Sequence, residues 1–336
     1  MKNIKVVVII GPTATGKTSL AVKLAKEFAG EIISADSRQV YKGLDIGTGK
    51  DIKEYGTGSN AVKYHLIDIC SPKETYNLKQ FNNNAKELIN EIYVKNKLPI
   101  IAGGTALYVD SLVSNYDFPI SAPNLDLRTE LKTKSIQELA DYLRTYHPDR
   151  YKKLDNKNSR PRIVRAIENK TFYNKKMTTK SVLKQSQASK GNSDINFQWL
   201  IIGTFFSRKE VHSRIEKRLE DRLSCGMIEE VQSLHKNGIS WERLDAFGLE
   251  YRYISQYLKN EINLGEMKNI LLAKIRRLAR SQDIWFRKME QKGHKIYWIP
   301  EGIIRQASVL VKKFINNKIL PEPDIKLMNI YYGPKS

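Results

Sequence analysis

The chain is poor in cysteine. Cys70 and Cys225 are the only two in 336 residues. Two thiols build neither a disulfide framework nor a cysteine metal site, and they fit free thiols in a reducing cytosol. Long apolar runs are also missing. No stretch of 18 consecutive apolar residues occurs, which excludes an ordinary membrane-spanning helix. The N-terminus runs straight into a β-branched stretch, so no secretory leader is expected. Acidic residues are scarce beside basic ones, 36 Asp and Glu against 57 Lys and Arg, for a net charge of +21. That excess fits a polyanionic partner, or, more blandly, a basic and soluble surface. At 336 residues and 41% hydrophobic content, the chain can bury one large core or two modest ones.

The first eighteen residues organise what is there. Lys5–Ile10 is rich in β-branched residues, and Gly11-Pro-Thr-Ala-Thr-Gly-Lys-Thr18 follows at once. The second piece fits G-x-x-x-x-G-K-[ST]. Leu20, Ala21, Leu24, Ala25 and Phe28 then recur at helical spacing. The order strand, glycine-rich loop, helix is the context a phosphate-binding loop requires. Gly11 and Gly16 let the backbone curl around an anion, with Pro12, Thr13, Ala14 and Thr15 between them. The helix N-terminus adds partial positive charge, Lys17 a full one, and the Thr18 hydroxyl suits Mg²⁺. The loop predicts a di- or triphosphate without saying which.

Further along, strand and helix patterns alternate. Ile32 and Ile33 read as a buried strand ending near Asp36, which either caps the next turn or reaches what the phosphate carries. Gly43–Lys50 reads as an ordered loop. Tyr64–Ile69 reads as a strand, with Asp68 either a strand-end carboxylate or an acidic Mg²⁺ partner. Tyr76–Lys95 reads as a helix. Pro99–Thr105 reads as strand and turn opening a helix over Ala106–Val113, with Thr105 near its N-terminus as a cap or a site residue. This alternation predicts an α/β fold, a P-loop NTPase-like parallel sheet with flanking helices.

Beyond Tyr116 the pattern becomes helical. Residues 1–118 and 197–320 are expected to form the P-loop core, 119–196 a mostly helical insertion domain, and 321–336 a tail. Arg162 and Arg165 share a face of a helix over Arg160–Glu168 while Ile163 and Ile167 pack. Residues 174–196 read as a hairpin or loop. Trp199–Thr204 returns to the sheet, and Ser207-Arg-Lys-Glu210 reads as a capping box. The helix that follows places Arg214 and Arg218 at i, i+4, either clamping an oxyanion or lying on a solvated charged face. Ile270–Met289 reads as a long helix packing through Leu271, Ile275, Leu278, Ile284 and Trp285. Its Arg276, Arg280 and Arg287 form a basic stripe suited to a phosphate backbone. His294–Ile299 reads as a late strand, and helix is expected from there to about Asn317.

These residues together resemble the tRNA dimethylallyltransferase (tRNA isopentenyltransferase) family in its bacterial form. The likeness rests on Gly11–Thr18, Ser34-Ala-Asp-Ser-Arg-Gln-Val-Tyr-Lys-Gly43, Asp45-Ile-Gly-Thr-Gly-Lys50 and Gly103-Gly-Thr-Ala-Leu-Tyr108. It continues through Arg162-Ile-Val-Arg-Ala-Ile-Glu168, Arg214-Ile-Glu-Lys-Arg218 and Arg280-Ser-Gln-Asp-Ile-Trp-Phe-Arg287. The resemblance implies transfer of a dimethylallyl group from dimethylallyl diphosphate to the exocyclic amine of the adenine 3′-adjacent to the anticodon. It makes Asp36 the general base, Thr105 a partner of the leaving oxygen and adenine, and Gly11–Thr18 with Arg214 and Arg218 the diphosphate site. Lys17 and Mg²⁺, the metal held by Thr18, would stabilise the departing diphosphate. Contacts with the tRNA anticodon stem-loop fall on Asp36, Ser37, Arg38, Gln39, Thr105, Arg128, Pro161, Arg162, Ile163, Val164 and Arg165. A cytoplasmic monomer without membrane contact is implied. Gly49 departs from the family's usual alanine, and Gly248-Leu-Glu-Tyr251 from a Gly-Tyr pattern. Both are expected to alter packing without touching the chemistry. Three alternatives stay open: prenylation of free adenylate, an ATP-dependent small-molecule kinase using the same loop, and a non-catalytic RNA binder.

Overall fold

A computed structural model describes residues 2–116, 118, 124–154, 156–177 and 195–329. Six parallel strands form one sheet in the order β3-β2-β4-β1-β5-β6. They are β1 (Lys2–Ile10), β2 (Gly30–Ser34), β3 (Tyr64–His65), β4 (Leu98–Ala102), β5 (Ile195–Phe205) and β6 (Ile296–Pro300). β1 lies centrally, with Val7 beside Ile100 on one side and Leu200 on the other.

The unbroken apolar run of β1 follows from its position. Alternate side chains leave opposite faces of a strand, and both faces here are covered. Val6, Val8 and Ile10 pack with residues of α2 (Leu78–Val94), α3 (Ala106–Val113) and the long helix α12 (Leu264–Gln291). Val7 and Ile9 pack with α1 (Lys17–Glu27) and α13 (Ile304–Ile315). A further layer of helices comprises α8 (Arg208–Ser224), α9 (Met227–Lys236), α10 (Trp241–Phe247) and α11 (Leu249–Leu258). Its core joins Ile215, Leu219, Val231, Phe247, Tyr251, Leu271 and Ile275.

The chain divides into two compact units, Met1–Tyr116 with Ile195–Ser336, and Asp117–Asp194. The second unit contains α4 (Leu125–Lys132), α5 (Ile136–Tyr146), α6 (Pro148–Lys152) and α7 (Arg160–Met177). Leu131, Leu139, Leu143, Ile163 and Ile167 form its core. Glu168, buried there, receives Arg128 Nε at 2.6 Å, Arg128 Nη2 at 3.0 Å, Arg165 Nη1 at 3.1 Å and the Asn124 N–H at 3.0 Å.

Several local expectations shift. The strand read over Tyr64–Ile69 stops at His65, because Leu66 and Asp68 turn the backbone to φ +62° and +56°. Ser207 caps the Glu210 N–H at 3.2 Å. The Glu210 carboxylate goes to Arg214 at 2.8 Å, so no reciprocal box closes. On α12, Leu278 and Ile284 are exposed, because helical spacing alone does not say which side of a two-sided helix meets the core. The loop expected over 174–196 begins as helix to Met177 and ends as strand from Ile195, and 178–194 lie outside the described residues. Most of the connector read over 118–123 is outside them too. In the stretch read as a tail, Leu327 is buried and its N–H donates to Glu290 at 3.1 Å, while 330–336 lie outside the described residues. Among the described residues, no helix is long and apolar enough to cross a membrane.

Candidate active site

Parallel strands end on the same edge, and there the loops after β1, β2 and β4 converge. The first is Gly11–Thr18. Ala14 (φ +64°) and Gly16 (φ +73°) adopt left-handed backbone that turns the loop into α1. Gly11 has no room for a side chain, since Thr204 Oγ1 and Thr15 Oγ1 crowd the position of a Cβ. Those two hydroxyls meet at 2.6 Å, and Thr15 also donates to the Pro12 carbonyl at 2.8 Å. No side chain caps α1, so the N–H groups of its first turn stay available to an anion. The Thr18 hydroxyl makes no hydrogen bond to any described residue.

Gln282 on α12 braces this loop. Its Oε1 accepts the Thr13 N–H at 2.8 Å and its Nε2 donates to the Gly104 carbonyl at 2.7 Å. One amide thus spans the first and third loops. Gln282 falls within Arg280–Arg287, one of the motifs that carry the family likeness, but a glutamine inside a basic helix shows no role without its partners.

The second loop carries Asp36. Its Oδ1 accepts the Arg38 N–H at 2.8 Å and the Gln39 N–H at 3.4 Å, an Asx turn. Oδ2 has no hydrogen-bond partner among the described residues. Capping and an open oxygen coexist. Thr105 stands at the N-cap of α3 but does not cap it with its side chain. Its hydroxyl instead accepts the Ser37 N–H at 3.0 Å, and the Thr105 N–H donates to the Ala35 carbonyl at 3.2 Å. Gln39, expected at the RNA surface, spends its amide internally on Ser34 and Gly49, each at 2.9 Å. Asp68 is no part of the phosphate loop. It forms an ion pair with the buried Lys50, which also pairs with Asp45 at 2.6 Å.

Charge gathers beside the loop. The Lys17 ammonium donates to the Pro12 carbonyl at 2.6 Å. Burial pushes its pKa down to about 7, the Arg218 charge adds to that shift, and Asp36 opposes it. The two arginines of α8 part company. Arg218 faces Lys17 and makes no hydrogen bond or ion pair to any described residue. Arg214 pairs with Glu210 and lies 4.1 Å over the Phe206 ring. A recess of about 280 Å³ is lined by Thr13, Ala14, Arg218, Arg222 and Glu250 with apolar neighbours. Arg222 was not foreseen. Its guanidinium occupies the space over Gly49 that a side chain would need, and Arg218 flanks the same point. The glycine at 49 makes room for that guanidinium. Across Pro12, a second recess holds Arg208, His212, Arg276, Arg280 and Asp283. Burial raises Asp283 to about 6 against the pull of Arg287 and Arg208.

The family's sequence description, IPP transferase, matches residues 39–289. A Treponema denticola protein named tRNA dimethylallyltransferase 2 is 45% identical over 294 residues, 87% of this chain and 95% of its own length. The chain belongs to the IPP transferase family. A Shewanella sediminis protein, also named tRNA dimethylallyltransferase 2, is 43% identical over 299 residues, covering 89% of this chain and 94% of that one. The crystal structure of the full-length tRNA isopentenylpyrophosphate transferase from Bacillus halodurans is similar in fold, with a TM-score of 0.64 and 29% identity. It covers 93% of this chain and 97% of its own. Within this IPP transferase, the RNA contacts expected from the other unit are described on that unit alone. Pro161 and Arg162 are exposed, Val164 is half-buried, and Ile163 is in the core. Arg128 and Arg165 grip Glu168.

Proposed function

We propose that this IPP transferase moves a dimethylallyl group from dimethylallyl diphosphate to the exocyclic amine of the tRNA adenine 3′-adjacent to the anticodon. The observation that carries the reading is the unbonded Oδ2 of Asp36, held one loop away from a phosphate cradle whose Lys17 feels both Asp36 and Arg218. A base and an anion site share one sheet edge, as alkyl transfer from a diphosphate requires.

In this scheme the diphosphate lies on the loop N–H groups, Lys17 and Arg218. The bond between the allylic carbon and the diphosphate oxygen breaks while the adenine nitrogen bonds to that carbon. Asp36 orients the amine and takes its proton, and Thr105 holds the leaving oxygen and the base edge. Developing negative charge on the diphosphate meets fixed positive charge that needs no rearrangement. The free Thr18 hydroxyl fits Mg²⁺. Thr18 is the residue that would hold it, at the start of the helix that follows the loop. When bound, the metal supplies further charge neutralisation of the leaving group.

An adenine stacked in the anticodon loop must be turned out to reach a crevice of this kind. Ser37 and Arg38, beside Asp36 on the same loop, are the residues that would read its flanks. The net charge of +21 supports a nucleic-acid substrate over free adenylate.

The test offers radiolabelled dimethylallyl diphosphate and Mg²⁺ to unmodified tRNA and to AMP. Label in tRNA beside the anticodon is expected. Label in AMP alone would make this an adenylate prenyltransferase, and ATP turnover without label in either would make it a kinase.

A further inference from the structure

Arg222 is the strongest feature that the proposed function leaves unused. It sits on α8 one turn beyond Arg218 and lines the recess that includes Thr13 and Ala14 of the phosphate loop. Its Nη1 makes one long contact, 3.4 Å to the Gly47 carbonyl. Its Nη2 is shut off from solvent and has no hydrogen-bond partner among the described residues. A buried guanidinium arm with an unmet N–H is costly. Among the described residues no carboxylate forms an ion pair with it. Glu250 shares the recess and supplies only a counter-charge at longer range. Arg218 crowds the same point over Gly49 with a second unpaired guanidinium. Two like charges pressed together beside a phosphate loop are stable when an anion with several oxygens lies between them. Gly49 sits at φ +61°, and a Cβ there would displace the Arg222 guanidinium.

We infer that Arg222 is a third cationic ligand of the diphosphate, acting beside Lys17 and Arg218, with Gly49 providing its room. This rests on the diphosphate reading of the loop. Arg222 meets charge that the diphosphate already carries before the bond to the prenyl carbon breaks. It therefore strengthens ground-state and transition-state binding alike, and its loss appears mainly in KM.

The experiment titrates the full-length protein with inorganic pyrophosphate by calorimetry, and measures KM for dimethylallyl diphosphate and for tRNA. The variants are Arg222→Met, Arg222→Lys and Gly49→Ala. Arg222→Met is expected to weaken pyrophosphate binding and raise the prenyl diphosphate KM about tenfold, the loss of one charge-assisted contact. The KM for tRNA stays unchanged. Arg222→Lys recovers part of the loss, which a space-filling role would not predict, and Gly49→Ala reproduces the Arg222→Met direction. If Arg222→Met does not fold, the Arg222→Lys and Gly49→Ala values decide. Wild-type affinity in folded Arg222→Met, or in both other variants, would overturn the assignment of Arg222 and leave the diphosphate site standing. A wild-type protein that binds no pyrophosphate, with Lys17→Ala unchanged, would overturn the loop reading itself.

Discussion

The Thr105 hydroxyl accepts the Ser37 N–H at 3.0 Å. That bond ties the loop after β4 to the loop after β2 one residue from Asp36, so the base and the residue expected at the leaving oxygen are positioned as one piece. Thr105→Val removes the acceptor while keeping the shape. It is expected to cost about 1 kcal/mol of stability, the worth of one ordinary hydrogen bond. Turnover should fall more than binding of either substrate. Thermal denaturation and steady-state kinetics on Thr105→Val and Thr105→Ser check this, and equal behaviour of the two variants would remove the hydroxyl from the argument.

The proposed function gives Asp36 two jobs, one for each oxygen, and substitution can separate them. Asp36→Asn keeps an Oδ1 acceptor for the Arg38 N–H and loses the base. Turnover should drop on the order of a hundredfold or more, with tRNA affinity largely kept. Asp36→Ala should lose turnover and the turn together. A filter-binding assay beside the kinetics separates the effects, and an active Asp36→Asn enzyme would end the assignment of Asp36 as base.

Lys17 makes diphosphate binding sensitive to pH. Its pKa is pushed down to about 7 by burial and by Arg218. As pH rises through that value the free protein loses the ammonium, so affinity for pyrophosphate should fall from pH 6 to 9. Stability runs the other way. Above pH 7 the folded state holds fewer protons than the unfolded state, whose lysine stays charged to about 10. The ligand-free protein should therefore gain stability over that window. Lys17→Arg is the reference, since arginine does not titrate there. The same pH slope in both proteins would assign it to pyrophosphate's own protons.

Gln282 is a strut with no replaceable part. Gln282→Leu leaves the Thr13 N–H and the Gly104 carbonyl without their partner. Stranding buried polar groups costs about 1–3 kcal/mol each. A lower melting temperature and a raised KM for dimethylallyl diphosphate are expected together. A fall in melting temperature with KM unchanged would mean that the phosphate loop does not depend on the strut.

Glu168 sets the acid limit of the helical unit. Burial would raise its pKa, but the bonds from Arg128, Arg165 and the Asn124 N–H outweigh burial and hold it below its ordinary value. Its stabilisation is complete above the unfolded value near 4.5 and is lost as pH falls through the lower folded value. Glu168→Gln leaves two arginines without their carboxylate, and because both guanidiniums keep access to water the cost should be about 1–3 kcal/mol. Amide hydrogen exchange over residues 125–167 of the full chain reads this out, and unchanged protection there would count against the pair as a structural anchor.

The sequence by itself determined the local pieces. An apolar run followed by Gly11–Thr18 allows few outcomes, because a left-handed turn and an uncapped helix start are encoded within neighbouring residues. The alternation of patterns determined a parallel sheet, since a helix between strands carries the chain back to the end of the sheet where it started. The family could be read from motifs spread over most of the chain. The tertiary structure alone decided which polar groups meet. That Gln282 braces Thr13, that Arg214 leaves the loop while Arg218 faces it, and that Arg128 and Arg165 are gathered onto Glu168 all depend on approaches between segments distant in sequence. The same holds for Arg222 over Gly49, far apart in the chain and joined only by packing. Helical and strand periodicity fixes which face of an element a residue takes. It carries no information about what stands opposite, because that is set by how whole elements bury their apolar faces.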